Sequence, residues 1–177
     1  ILKPELDTSL DAAALRVLRE KVSVNIPHLE QVCTFSGPDR DPRGWSIANL
    51  FFALLPKDQI NALVRNKVEA LEWVDAADPG HALAFDHSRQ LACALSKLRN
   101  KVERHALPLH LMPEHFTLSE LQQSCEAILG RPLDKSVFRR RLKGSEELIE
   151  VGEYERGQQR PAMLYQSRPD FSFEVPL

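Results

Sequence analysis

Cysteine is scarce in this chain: there are three in 177 residues, Cys33, Cys93 and Cys125, and no CxxC pair. An odd number without paired spacing argues against a disulfide framework and for free thiols in a reducing, cytoplasmic setting. Long apolar runs are missing too. The longest, Ile47 to Leu55, is broken by Asn49 and falls well short of the ~20 residues that span a bilayer, so no membrane partner is expected. No signal-peptide pattern is visible. The chain opens on Ile rather than Met, and a native N-terminus is expected upstream. There is no P-loop, no GxSxG and no GxGxxG, and no cofactor is expected. Net positive charge is lacking as well, with 23 Lys and Arg against 25 Asp and Glu. That balance argues against a protein that coats nucleic acid nonspecifically, but it leaves room for a local basic face. His105, His110 and His115 recur every five residues, with Pro108 and Pro113 between them. Helical metal ligands prefer spacings of three or four, so no metal site is expected there.

What is present suits a globular protein of one or two domains, at 43% hydrophobic and 27% charged residues. Leu10, Ala13, Ala14, Val17, Leu18 and Val22 have helical spacing, with Asp7, Thr8 and Ser9 as candidate N-caps. Strands are expected over Leu29–Phe35 and Trp45–Leu55, around a charged loop from Ser36 to Gly44. Trp45, Phe51 and Phe52 read as core rather than as a base-stacking platform. A further short strand is expected at Glu72, Trp73 and Val74. A long helix over 86–104 carries Leu91, Ala94, Leu95, Leu98 and Val102, and it links two parts of the chain. We draw the domain boundary near Pro113, giving domains 1–112 and 113–177.

Past Pro113 the order is helix, short turn, helix, hairpin. Thr117 and Glu120 have the spacing of a capping box, and the helix that follows buries Leu118, Leu121, Cys125, Ile128 and Leu129. Gly130, Arg131 and Pro132 end it. A second helix runs from Asp134 to Lys143. Strands over Leu148–Val151 and Ala162–Tyr165 flank a polar turn. This is the order of a winged helix–turn–helix. On the second helix, Val137, Phe138 and Leu142 are expected to face the core, with Arg141 half buried. Lys135, Ser136, Arg139, Arg140 and Lys143 then project outward, where a recognition helix meets the major groove. Arginine can bond guanine edges bidentately, while Lys and Ser suit phosphates. Arg156 and Arg160 fall at the hairpin turn, in reach of phosphate or the minor groove. An isolated three-arginine run reads most simply as a solvated helix face. The surrounding element order shifts the reading toward DNA. A winged helix used only for protein contacts would favour an apolar second helix instead.

Residues 10–24 (LDAAALRVLREKVSV) resemble the helix of a Nudix box, whose pattern REUxEExGU registers on Arg16 to Val24. In such a box, clustered carboxylates hold Mg²⁺ against a diphosphate. Here Arg16 and Glu20 match the pattern. Val17 and Lys21 stand where two acids belong, and Ser23 replaces the glycine. Glu20 alone is a remnant of the metal site, and Arg16 with Glu20 reads as an i, i+4 ion pair.

Further stretches run in order across almost the whole chain. They are Pro27-His28-Leu29-Glu30-Gln31-Val32, Asp39-Arg40-Asp41-Pro42-Arg43-Gly44-Trp45, Leu83-Ala84-Phe85-Asp86-His87, Phe116-Thr117-Leu118-Ser119-Glu120-Leu121-Gln122, Phe138-Arg139-Arg140-Arg141-Leu142 and Arg160-Pro161-Ala162-Met163-Leu164-Tyr165. Together they resemble the Nudix-related transcriptional regulators of the NrtR type. Gln159 departs from the family, which usually has Gly before Arg-Pro-Ala. The resemblance implies an α+β protein: a Nudix-like α/β/α sandwich, incomplete in this chain because strands should precede the box helix, followed by a winged helix. It implies a repressor that binds palindromic operator DNA as a homodimer. It also implies a sensor domain without hydrolysis that takes ADP-ribose or a related nucleotide and controls genes of NAD or sugar metabolism. Arg43, in the charged loop, is the candidate for an effector phosphate. The competing expectation is a Nudix hydrolase of nucleoside diphosphate derivatives, which intact acids at positions 17 and 21 would have supported.

Overall fold

The computed structural model describes residues 2–21, 28–55, 72–105, 108–143, 145–155 and 161–169. The chain divides into two compact units, Ile1–Lys97 and Leu98–Leu177.

In the first unit, α1 (Leu10–Lys21) forms on the apolar stripe described above. Ser9 caps it, its hydroxyl accepting the Ala12 N–H at 3.0 Å. Strands β1 (His28–Gly37) and β2 (Ser46–Leu54) pair antiparallel from His28 opposite Leu54 to Gly37 opposite Ser46, with a register shift between Gln31 and Cys33. At the loop between them, Gly44 takes φ 125° and donates its N–H to the Asp41 carbonyl at 3.0 Å. Helix α1 lies against β1. Among the described residues of this unit, Ala13 and Leu54 are the buried hydrophobic ones, and an apolar groove of about 600 Å³ runs between α1 and β2, lined by Leu10, Ala13, Val17, Leu18, Ile47 and Phe51. The free thiols of Cys33 on β1 and Cys93 stand with sulfurs 3.1 Å apart.

Two expectations fail here. Glu72–Val74 form no strand, and Trp73 and Val74 are exposed. A strand needs a ladder, and neither of the described sheets, β1–β2 or the three-stranded one of the second unit, includes residues 72–74. Trp45 is not core: it precedes β2 at the mouth of the hairpin loop and is 65% exposed.

Helix α2 (His87–His105) gives its first residues to one unit and its last to the other. In the second unit a 3-10 turn (Leu109–Leu111) leads to β3 (Phe116–Thr117), α3 (Leu118–Leu129), α4 (Lys135–Leu142), β4 (Leu148–Glu155) and β5 (Ala162–Ser167). The three strands form an antiparallel sheet in the order β3-β5-β4. Val102, Leu109, Phe116, Leu121, Cys125, Phe138 and Leu142 make one buried cluster, with Leu118, Ile128, Leu129, Leu133 and Tyr165 packed against it. The compact unit therefore starts ahead of Pro113, because Val102 and Leu109 belong to the same core. Burial pushes the Cys125 thiol up to about 12, which keeps it an inert packing group.

Candidate nucleic-acid interface and sensor-helix geometry

The turn between α3 and α4 is fixed by local chemistry. The Thr117 hydroxyl accepts the Glu120 N–H at 3.2 Å and the Glu120 carboxylate accepts the Thr117 N–H at 2.7 Å, which is the capping box expected from their spacing. Gly130 ends α3 at φ 68°, a left-handed position that costs glycine nothing, and donates to the Glu126 carbonyl at 2.8 Å. Glu126 also accepts the Leu133 N–H at 2.8 Å, while Gln122 donates to the Leu133 carbonyl at 3.0 Å. These bonds brace the chain into the N-cap of α4, where Asp134 accepts the Val137 N–H at 2.8 Å.

On α4, Phe138 and Leu142 are buried, as their i, i+4 spacing requires. Lys135, Ser136, Arg139, Arg140 and Lys143 are exposed. Among the described residues, the side chains of Lys135, Arg139, Arg140 and Lys143 enter no hydrogen bond or ion pair. Lys135 and Arg139 line a cleft of about 600 Å³ with Thr117, Ser119, Tyr154 and Tyr165. Two side chains depart from expectation. Val137 is 51% exposed rather than core, because it sits about 100° around the helix from Phe138, off the buried stripe. Arg141 is exposed rather than half buried, and it is held by the Glu103 carbonyl, to which its guanidinium donates at 2.7 Å. Arg156 and Arg160 lie outside the described residues.

The cations of the first unit behave differently. Arg16 on α1 forks onto Asp7, with Nε to Oδ1 at 2.7 Å and Nη2 to Oδ2 at 2.8 Å, and it also donates to Glu20 at 3.1 Å. Asp7, a helix-cap candidate by its position in the sequence, is instead this buried partner. The hydrogen bond from Arg16 is the largest cause holding its carboxyl down at about 2. Val17 faces the apolar groove, and Ser23 lies outside the described residues. Arg43 is exposed, but its guanidinium is taken by Asp41, with Nη2 to Oδ2 at 2.6 Å. That bond is the main cause that holds Asp41 at about 2. Arg40, to which the sequence alone assigns no role, ties the loop to the start of α2 through Asp86 at 3.2 Å and the Ser46 hydroxyl at 2.8 Å. An Arg beside an Asp-rich loop gives no signal of which acid it will choose. Lys97 pairs with Glu30 at 2.9 Å. Among the described residues, no group of three or more His, Cys, Asp or Glu side chains converges as a metal site, and no helix is long and apolar enough to cross a membrane.

Comparison with known proteins places these features in one lineage. The profile of the NrtR DNA-binding winged helix domain matches residues 108–167. The ADPR responsive transcriptional repressor NtrR of Acinetobacter baylyi is 41% identical over 174 residues, covering 97% of this chain and 69% of that protein. The crystal structure of Shewanella oneidensis NrtR complexed with a 27mer DNA superposes with a TM-score of 0.82 at 35% identity, covering 96% of this chain and 78% of that one. The NUDIX domain of the same Shewanella protein, complexed with ADP ribose, matches with a TM-score of 0.50 at 33% identity, covering 55% of this chain and 64% of that one. With a Nudix-like fold joined to a winged helix, and this identity along nearly its whole length, the chain belongs to the NrtR family.

Proposed function

We propose that this protein is a ligand-responsive transcriptional repressor that binds operator DNA as a homodimer and releases it on binding ADP-ribose or a related nucleotide. DNA binding belongs to residues 113–177 and sensing to residues 1–112. The observation that carries this reading is the set of four cations on α4 and at its C-cap, Lys135, Arg139, Arg140 and Lys143, which stand exposed and unneutralised among the described residues. Cations kept free at one helix face are suited to phosphate oxygens and guanine edges. Ser136 adds a hydroxyl to that face, and Arg156 and Arg160, which the sequence sets between β4 and β5, are the further residues we assign to DNA contact. The relatives' names support the two ligands: one is an ADPR responsive repressor, and the Shewanella protein was crystallised with DNA and, as its NUDIX domain, with ADP ribose. Release of DNA then follows from the nucleotide's differential affinity for two states.

The Nudix-box helix supports a sensor rather than a hydrolase. Its residues do not fit a divalent cation: Glu20 is one carboxylate already engaged by Arg16, Val17 is apolar, and Lys21 carries the cation's own sign. An effector phosphate would reach Arg43 by displacing Asp41, an exchange of one anion for another. The three free thiols support a cytoplasmic setting.

The test is anisotropy of the full chain on duplex DNA from its own upstream intergenic region, at fixed salt, with and without ADP-ribose. Specific binding that the nucleotide releases is expected. No preference over unrelated duplex would overturn the repressor reading, and binding indifferent to the nucleotide would overturn the effector.

A further inference from the structure

Helix α4 sorts its side chains into separate directions. At about 100° per residue, Phe138 and Leu142 mark the core side. Lys135 and Arg139 turn to one flank, into the cleft they share with Tyr154. Arg141 turns to the other flank and is held by the Glu103 carbonyl. Directly opposite the core stands Arg140, with Ser136 and Val137 on either side of it. Val137 also lies in the first turn, and its backbone N–H is fixed by the Asp134 cap at 2.8 Å.

That position is unusual for a valine. Among the described residues of this unit, Val137 and Tyr154 are the large hydrophobic side chains left exposed, so Val137 is the aliphatic exception. It is not part of the core cluster of this unit. As a β-branched residue it is also a poorer surface helix former than the Lys, Arg or Glu that could replace it. An apolar group beside a guanidinium, on the N-terminal part of a recognition helix, matches the one apolar feature of the major groove: the C5-methyl of thymine.

Resting on the DNA-binding reading above, we propose that Val137 is a specificity-determining residue whose methyl groups pack against a thymine methyl, while Arg140 and Ser136 bond the neighbouring base edges or phosphates. Positive charge on the same face brings the duplex to it. Val137 then makes one base pair matter through contact rather than through hydrogen bonding.

The experiment begins by selecting duplexes from a random library with the full chain. Each thymine of the selected site is then replaced in turn by deoxyuridine, which removes only the C5-methyl. Affinities are measured for the wild type and for Val137→Ala, whose fold is checked by circular dichroism. For the wild type, one replacement is expected to weaken binding about fourfold, the worth of one buried methyl group. For Val137→Ala, the same replacement is expected to have no effect. If no replacement weakens the wild type, or if the same one weakens both proteins equally, Val137 does not read thymine although the protein binds specific DNA. If the library yields no preferred sequence, the DNA-binding reading itself falls, and this inference with it.

Discussion

Helices α1 and α4 are both short, amphipathic and arginine-bearing, yet they use arginine in opposite ways. On α1, Arg16 is consumed by acids of its own unit, Asp7 and Glu20. On α4, Arg139 and Arg140 have no acid within reach among the described residues, although Glu146, Glu147 and Glu150 follow closely in sequence. The difference shows that an arginine's function is read from what neutralises it. A paired arginine holds the fold together. An unpaired set, with no acid bonded to it among the described residues, is the set we propose for an external anion.

The largest expected effect that sharpens this contrast is on DNA affinity. Replacing both Arg139→Ala and Arg140→Ala should weaken specific binding about 100-fold or more and flatten the salt dependence by about one unit of slope per lost phosphate contact. Urea unfolding of the same variant should be unchanged, because neither side chain enters a hydrogen bond or ion pair among the described residues. A large fall in stability would break the contrast.

The reciprocal change, Arg16→Ala, should lower the thermal midpoint and leave DNA affinity untouched, since it takes the cation from the Asp7 carboxylate, whose side chain is 1% exposed, and leaves it the Lys3 N–H at 2.7 Å. The acid limb of stability tests the same pair. Because Asp7 is held at about 2, chiefly by the hydrogen bond from Arg16, against 3.8 for the free group, its contribution is fully present above the free value and is lost as pH falls from about 4 through about 2. In Arg16→Ala that loss should move to higher pH, as followed by circular dichroism in an acid titration. An acid limb identical to that of the wild type would show that the pair does not carry this dependence.

Smaller again is the effect of the Thr117 cap. Thr117→Ala should cost about 1 kcal/mol in urea unfolding and reduce DNA affinity only as far as it loosens the start of α3. A change within the error of the measurement would mean that the capping box is redundant with the strand pairing of Thr117 and Leu164.

Much of the winged helix is legible in its residues alone. The capping box and the buried Phe138 and Leu142 follow from spacings of three and four residues, which α-helical geometry converts directly into contacts, and Gly130 marks the end of the first helix. The family resemblance rests on motifs spread along the whole chain, which are themselves sequence. Legibility fails where a residue's fate depends on distant partners. Glu72–Val74 have the composition of a strand, but pairing needs a neighbour that local sequence does not name. Trp45 has the size and apolarity of a core residue, but it falls at a loop mouth. Val137 is aliphatic and beside Phe138, but one helical step carries it off the buried stripe.

The sequence by itself therefore determined the elements of the winged helix, its capping box and the family, because these depend on local periodicity and on motifs a few residues long. Only the tertiary structure decided which charges are spent and which are free. Asp7 reaches Arg16 from ahead of the helix, Asp86 reaches Arg40 from the start of α2, and the Glu103 carbonyl takes Arg141 out of the basic face. Apart from the Arg16–Glu20 pair, which i, i+4 spacing brings together on one helix, these partners meet through space, so they are set by which chain segments fold against each other and not by spacing along the sequence.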